Sequence, residues 1–393
     1  MRILQIVNIG FEAGGAEKSV RILRDGLTGR GHEVRVVATD KLLTGDGGQK
    51  VFADCLIPAI PGRGAAKARG YLWYPQARRR IKELLAEFRP DCVHLHTIGE
   101  FSPAVLAVTR GYPRVLTIHG PESWTRDLLR WNLSSATGGG SLSPADRALL
   151  TYLRLVQRPA YLPLIRRVDR VLAPSRYFAE TVKTDVGKVP VHVLANGIEQ
   201  RTVASPVNGV RHLVYVGRLE RVKGVHLLLD AYRRVLDKLP DTRLTIVGDG
   251  RERAALESGA ADLSSTGGVR FLGWQDEAGV SAQLADASIV VLPSLWPENF
   301  PTVALEALQF GRPMVGSRVG GIPELIGTDN GALVEPGDPA QLAQELLRLL
   351  SDQELLREMG RASAKRSAAY NVDEFLDAIA THYKEVAAGY RAR

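Results

Sequence analysis

Two glutamates, Glu298 and Glu306, stand with seven residues between them in PSLWPENFPTVALE at 293–306, directly after an apolar run ending near Leu292. A loop that leaves the carboxyl end of a strand and enters a helix is implied. Pro301 suits the first turn of that helix, where its missing N–H would be unpaired anyway. The free N–H groups of Thr302 and Val303 can then face an anion, and a diphosphate is the natural occupant. Glu306 falls further into the helix and Glu298 in the loop before it, so the two carboxylates reach different parts of one extended ligand. Carboxylates accept paired hydrogen bonds from vicinal hydroxyls, which makes a ribose and a hexose suitable partners. The competing readings are structural: Glu306 complementing the helix dipole, and Glu298 a solvated loop charge.

A second constellation, GRLERVKG at 217–224, follows the strand-like HLVYVG. Arg218 and Lys223 there can bring two cations to a leaving phosphate, although Arg221 shows that a basic strand-helix turn accounts for such residues too. Near the amino terminus, Gly14 and Gly15 open a helix after the first strand and let backbone approach a phosphate or sugar closely. The pattern is not the G-x-G-x-x-G dinucleotide fingerprint, and a plain tight turn competes with it. His119 closes VLTIHG at the carboxyl edge of its strand, either as a satisfied strand-end histidine or as a sugar contact. His94 and His96 alternate in VHLHT, share one strand face, and read as packing or as support behind a site. Cys55 and Cys92, the two cysteines, have neither metal-ligand nor redox-pair spacing, so a structural zinc is not expected.

The elements that must position these residues are legible as periodicity. Short Val/Ile/Leu runs alternate with helical segments: RILQIVN, EVRVVAT, DCVHLHT, RVLTIHG, RVLAPSR and VHVLAN, then RHLVYVGRL, RLTIVGDG, VRFLGW, ASIVVLPS, PMVGSRVG and GALVEPG. Two α/β domains with parallel sheets follow. The 393 residues exceed what one core serves. The stretch 196–212, with Pro206 and two Asn-Gly turns, marks the boundary. Open sheets bind ligands beyond the carboxyl ends of their strands, so the substrates are expected in a cleft where the domains face each other. SSATGGGSLSP at 134–144 reads as a surface loop, and residues 371–389 as a final amphipathic helix. Residues 1–206 carry 30 Lys and Arg against 18 Asp and Glu, and the remainder 21 against 25. The basic half attracts anionic partners or is simply solvated. No apolar run approaches a bilayer span, and the first residues read as a strand rather than an export signal, so a cytoplasmic location is expected.

Taken together, Gly14-Gly15-Ala16-Glu17, TIHG at 117–120, NGIE at 196–199, GRLERVKG, VGDG at 247–250, the E-x7-E pair Glu298 and Glu306, and GGIPELI at 320–326 resemble the GT4-type glycosyltransferases of the GT-B fold. The resemblance runs over nearly the whole length. It implies two Rossmann-like domains, an acceptor domain at 1–200 and a donor domain at 201–370, with the helix 371–389 crossing back to the first. It further implies that Arg218 and Lys223 clamp the donor diphosphate, Glu306 holds the ribose and Glu298 binds hydroxyls of the transferred sugar. Backbone around Asn299, Phe300, Thr302 and Val303 supplies N–H groups, Gly14 and Gly15 close over the donor, and His119 approaches the sugar. One departure is Pro301, where the family often has Gly, which removes one N–H. Retention at the anomeric carbon without a metal or cofactor is implied, with a nucleotide-diphosphate sugar as substrate, UDP first and GDP second. The hydroxyl acceptor, a glycan, lipid-linked or small molecule, is expected near Trp124, Arg126 and the basic helix at 73–80. Peripheral membrane contact through that basic half stays open, and nucleic acid is not expected. The alternatives are a GT-B-like epimerase or phosphorylase, and a non-catalytic nucleotide-sugar sensor or polyanion-binding protein.

Overall fold

The computed structural model describes residues 1–43, 50–133, 142–200, 209–265 and 267–392. Most of the Gly/Ser-rich loop, residues 134–141, and the Pro206 stretch, residues 201–208, lie outside the described residues. The chain divides into two units, Met1–Gly197 with Asp373–Arg393, and Ile198–Val372.

The first unit is built on β1 (Arg2–Ile9), β2 (Glu33–Thr39), β3 (Cys55–Ile57), β4 (Cys92–Leu95), β5 (Arg114–Thr117), β6 (Arg170–Ala173) and β7 (Val191–Val193). All pairings are parallel, in the order β3-β2-β1-β4-β5-β6-β7. The second unit carries β8 (His212–Val216), β9 (Arg243–Val247), β10 (Val269–Gly273), β11 (Ile289–Leu292), β12 (Met314–Ser317) and β13 (Gly331–Val334). These are parallel in the order β10-β9-β8-β11-β12-β13. Strands β4, β5, β11 and β12 are buried at every residue, as a sheet covered on both faces requires; β11 is apolar throughout, whereas β4, β5 and β12 also bury His94, Arg114, Thr117 and Ser317. The periodicity identifies twelve of these strands. It misses β3, three residues of an edge strand beside β2, too short to carry a pattern.

In each sheet the strand order reverses beside the unit's first strand, between β1 and β4 and between β8 and β11. Adjacent crossovers diverge there and leave a crevice at the carboxyl ends of the strands. GRLERVKG leaves β8 and PSLWPENFP leaves β11, so both constellations emerge at one switch point.

The helix Val372–Arg391 completes the first unit through its residues from Asp373 onward. Tyr383 is fully buried and its hydroxyl meets His94 Nδ1 at 2.6 Å, while Arg30 pairs with Asp373 at 2.6 Å and Arg170 with Glu385 at 2.6 Å. Leu376 packs so closely on Gly26 that a Cβ there would lie 2.3 Å from its Cδ1. The basic helix runs Pro75–Phe88, so Trp73 and Tyr74 precede it rather than belong to it: Pro75 takes the first helical position, and Tyr74 before it is extended and buried. Its Ile81, Leu84, Leu85 and Phe88 join the core, each contributing about 1.5–3 kcal/mol, and Arg78, Arg79 and Arg80 lie exposed. No helix among the described residues is long and apolar enough to cross a membrane.

Candidate active site

The loop leaving β8 makes a short 3-10 turn, Arg221–Lys223, and Gly224 then enters the helix Val225–Leu236 with φ 72°. A Cβ at Gly224 would stand 1.9 Å from the Pro293 carbonyl oxygen, so only glycine lets this turn touch the loop leaving β11. That contact is laced by hydrogen bonds from the Leu295 and Trp296 N–H groups to the Val222 carbonyl, at 2.8 and 3.3 Å. The Leu219 N–H donates to the Asp249 carbonyl at 2.8 Å, which ties VGDG to the same turn. The glycines of GRLERVKG and VGDG thus serve a mutual approach of backbones.

The lacing delivers Lys223 to Glu298. Lys223 Nζ lies 2.6 Å from Glu298 Oε1, and Ser294 Oγ donates to the same oxygen at 2.6 Å. Burial by itself would raise the Glu298 carboxyl. The Lys223 charge and the hydrogen bonds from Lys223 and Ser294 outweigh it and hold the group below the usual carboxylate range. The Lys223 ammonium also sits 5.2 Å from the centroid of the Trp296 ring. Arg218 is exposed and makes no ion pair among the described residues, so its guanidinium is available to an anion. From the far side, the Gly321 N–H donates to the Glu298 carbonyl at 2.7 Å. Gly320, at φ 56°, passes so close that a Cβ would lie 2.0 Å from that oxygen. Ser294, Gly320 and Gly321 therefore support Glu298. The sequence shows GGIPELI as a motif, and only the backbone contact reveals what it does.

The helix after the loop spans Thr302–Gln309, and Pro301 is the flanking cap residue rather than part of the first turn, with φ −64° and ψ 122°. No side chain caps this end, and the Ala304 N–H is bonded to the Pro301 carbonyl, which leaves the Thr302 and Val303 N–H groups as those aimed outward. Glu306 lies one turn below Thr302 on the same face and is partly exposed. Asn299 and Phe300 are buried, and Phe300 meets the edge of Tyr370 with ring centroids 5.5 Å apart, anchoring the loop.

In the first unit, Gly14 is extended and precedes the helix Gly15–Gly29, which also has no side-chain cap, so its first N–H groups point out beyond β1. His119 follows β5. Its Nε2 shares a hydrogen bond with His96 Nδ1 at 2.9 Å, and burial pushes its imidazole down to about 4. His94 and His96 are fully buried and both are lowered by desolvation. His94 bonds Thr117 at 2.7 Å as well as Tyr383, so these two rings support the strand that presents His119. Trp124 corrects the acceptor expectation: it is 1% exposed, a member of the first unit's hydrophobic core, and so offers no surface to a ligand. Arg126, two residues on, is exposed. Glu122, which sequence reasoning passes over, is raised by burial to about 7. Among the described residues no three of His, Cys, Asp and Glu are grouped as metal ligands.

The sequence profile of the Glycosyl transferases group 1 matches residues 199–366, and that of Glycosyltransferase Family 4 matches residues 13–201. The chain is 32% identical over 302 residues to a glycogen synthase of Mycobacterium tuberculosis, covering 74% of this chain and 68% of that one. It is 28% identical to a phosphatidyl-myo-inositol mannosyltransferase of Mycobacterium leprae, over 98% of this chain and 97% of that one. Sucrose-phosphate synthase from Thermosynechococcus elongatus shares the fold with a TM-score of 0.77 at 20% identity, covering 99% of this chain and 100% of that chain. Anabaena HepE does so with a TM-score of 0.68 at 19% identity, over 98% and 100%. With its two parallel-sheet units, its laced switch-point loops and these matches, the chain belongs to the GT4-type, group 1 glycosyltransferases of the GT-B fold.

Proposed function

We propose that this glycosyltransferase moves a hexose or N-acetylhexosamine from a nucleotide-diphosphate sugar to an acceptor hydroxyl, with retention and without a divalent metal. The observation that carries this reading is the pairing of Lys223 with Glu298 at 2.6 Å beside the uncapped helix at Thr302. A cation, a sugar-binding carboxylate and outward N–H groups meet there at one switch point. Arg218 and Lys223, with the Thr302 and Val303 N–H groups, receive the diphosphate, and Glu306 takes the ribose hydroxyls. Glu298, kept ionised, accepts from hydroxyls of the transferred sugar, whose binding shares Lys223 between carboxylate and phosphate. On the first unit the proposed sugar-contacting positions are Gly14, Gly15 and His119, and a neutral His119 serves as a hydrogen-bonding partner rather than as a cation.

In the chemical step the bond between the anomeric carbon and the diphosphate oxygen breaks as the acceptor oxygen attacks from the same face. The two cations stabilise the charge left on the diphosphate, and the acceptor proton passes to a phosphate oxygen. Glu298 is a hydroxyl ligand in this scheme and not a nucleophile, since Lys223 and Ser294 both engage its Oε1. UDP-sugars come first among donors; Anabaena HepE, a fold neighbour, was captured with UDP-glucose. The acceptor is a glycan, a lipid-linked sugar or a small molecule, and the M. leprae relative's name points to testing an inositol phospholipid among them.

A thermal-shift screen against UDP-, GDP-, ADP- and dTDP-sugars in the presence of EDTA tests the reading, since a ligand of the folded state raises the melting temperature. One nucleotide class should shift it, and Glu306→Ala and Arg218→Ala should each abolish the shift. A shift that survives both variants sinks the assignment of these residues.

A further inference from the structure

The first unit holds a cavity of about 550 Å³ lined by Arg126, Asp127, Leu129, Arg130, Arg154 and Arg158. Four of the six side chains are guanidiniums. Two come from the 3-10 turn Arg126–Asn132; Arg154 lies within the stretch Leu153–Gln157, which is wound as a π-helix, a conformation that recurs at functional sites, and Arg158 directly follows it. Among the described residues, many helical arginines meet a carboxylate, as Arg21, Arg80, Arg233, Arg253, Arg348 and Arg357 do. Arg126, Arg130 and Arg154, however, are exposed and make no ion pair among the described residues. Arg158 differs. Its side chain is 15% exposed, its Nη2 lies 2.5 Å from Oδ1 of the fully buried Asp185, and its Nε is buried without a hydrogen-bond partner. Asp185 Oδ2 also accepts from the Arg126 N–H at 3.0 Å, so one carboxylate fixes both walls of the cavity. With Asp185 spent on Arg158, Asp127 is the only acid on the lining, against three uncompensated cations.

We infer that this cavity is a binding site for a phosphoryl group, separate from the donor site built on the second unit. Guanidinium forks match phosphate oxygens in pairs, and several of them around one concavity raise the local anion concentration. The exposed Leu155 and Val156, at 72% and 42%, lie between the two helical arginines. They do not line the cavity, but they leave apolar surface next to Arg154 in the chain, which a lipid bearing the phosphate would meet. The shared chemistry is therefore a phosphate ester or diphosphate, reaching the cavity either free in solution or as a phospholipid headgroup.

The test uses the full chain carrying Arg218→Gln and Lys223→Gln, so that the donor site takes up no probe, with and without Arg130→Gln and Arg154→Gln. Calorimetric titration with inorganic pyrophosphate and flotation with phosphatidylcholine vesicles, plain or containing phosphatidylglycerol, are run in parallel. Loss of the two arginines should weaken the interaction about tenfold or more, since hydrogen bonds to charged groups are at stake. An arginine-dependent pyrophosphate isotherm without flotation assigns a free phosphorylated ligand, and arginine-dependent flotation on the anionic vesicles assigns a headgroup. Binding of neither probe, or binding equal in both proteins at unchanged melting temperature, overturns the site. None of these outcomes depends on nucleotide-sugar binding, so the donor reading stands or falls separately.

Discussion

Glu298 is the residue whose environment decides most. Removing its partner by Lys223→Ala leaves a nearly buried carboxylate without its cation, and breaking such pairs costs about 3–5 kcal/mol of stability. If Lys223 acts as proposed, the same change removes a cation from the leaving diphosphate, and kcat should fall about 10²–10³-fold, by analogy with loss of one oxyanion donor. Ser294→Ala should be milder, about 1–2 kcal/mol, because one neutral hydroxyl is lost while the cation remains. Chemical denaturation beside steady-state kinetics checks that order. The buried imidazoles set an acid limit. His94, His96 and His119 prefer to stay neutral when folded, His119 down to about 4, whereas the unfolded chain takes up protons from about 6.5. Between those values the unfolded state binds more protons, so stability falls as pH falls through that window. Glu122 acts with the opposite sign: its folded value of about 7 means that stability is lost as pH rises from the ordinary carboxylate range toward 7. Glu122→Gln should therefore raise the melting temperature at pH 8 and leave it nearly unchanged at pH 4. An equal rise at both would show that its charge is not the cause. None of this is visible in sequence, because it depends on which groups the fold removes from water.

At the scale of elements, the loops at the β8/β11 switch point are held by backbone contacts that exclude a Cβ. Gly320→Ala would force an atom to 2.0 Å from the Glu298 carbonyl oxygen at a positive φ. Strain alone should cost about 1–3 kcal/mol, and displacement of the Glu298 loop should lower kcat/KM more than stability suggests. Gly259→Ala, at a helix end with nothing within 4 Å, is the control and should be neutral or stabilising by up to about 1 kcal/mol. Similar losses at both positions, measured by thermal melts and activity together, would refute the role given to Gly320. Most elements were legible because a buried parallel strand is built mainly from Val, Ile and Leu. The exceptions were too short, as β3 was, or misplaced by a residue or two, as with Pro301 and the helix at Pro75. Propensity does not say which side of a proline the first hydrogen-bonded turn begins.

At the scale of the whole molecule, the last helix is part of the first unit although it is the last element in the chain. Ending the chain before Asp373 exposes the core around His94, removes Tyr383, and strips the pairs at Arg30 and Arg170. Calorimetry should show the transition of the first unit lowered or lost while that of the second persists; a unit 1 transition unchanged by the truncation would contradict this. What the sequence by itself determined was the alternation of buried strands and helices, two sheets, and the residue types able to hold a diphosphate and a sugar, because burial and chemistry both leave marks on residue type. Only the tertiary structure decided that Lys223 pairs with Glu298, that Ser294 and Gly320 support it, that Trp124 belongs to the core and that four arginines share a cavity. Those facts are distances between residues far apart in the chain, or exposures set by packing, and neither is written in local spacing.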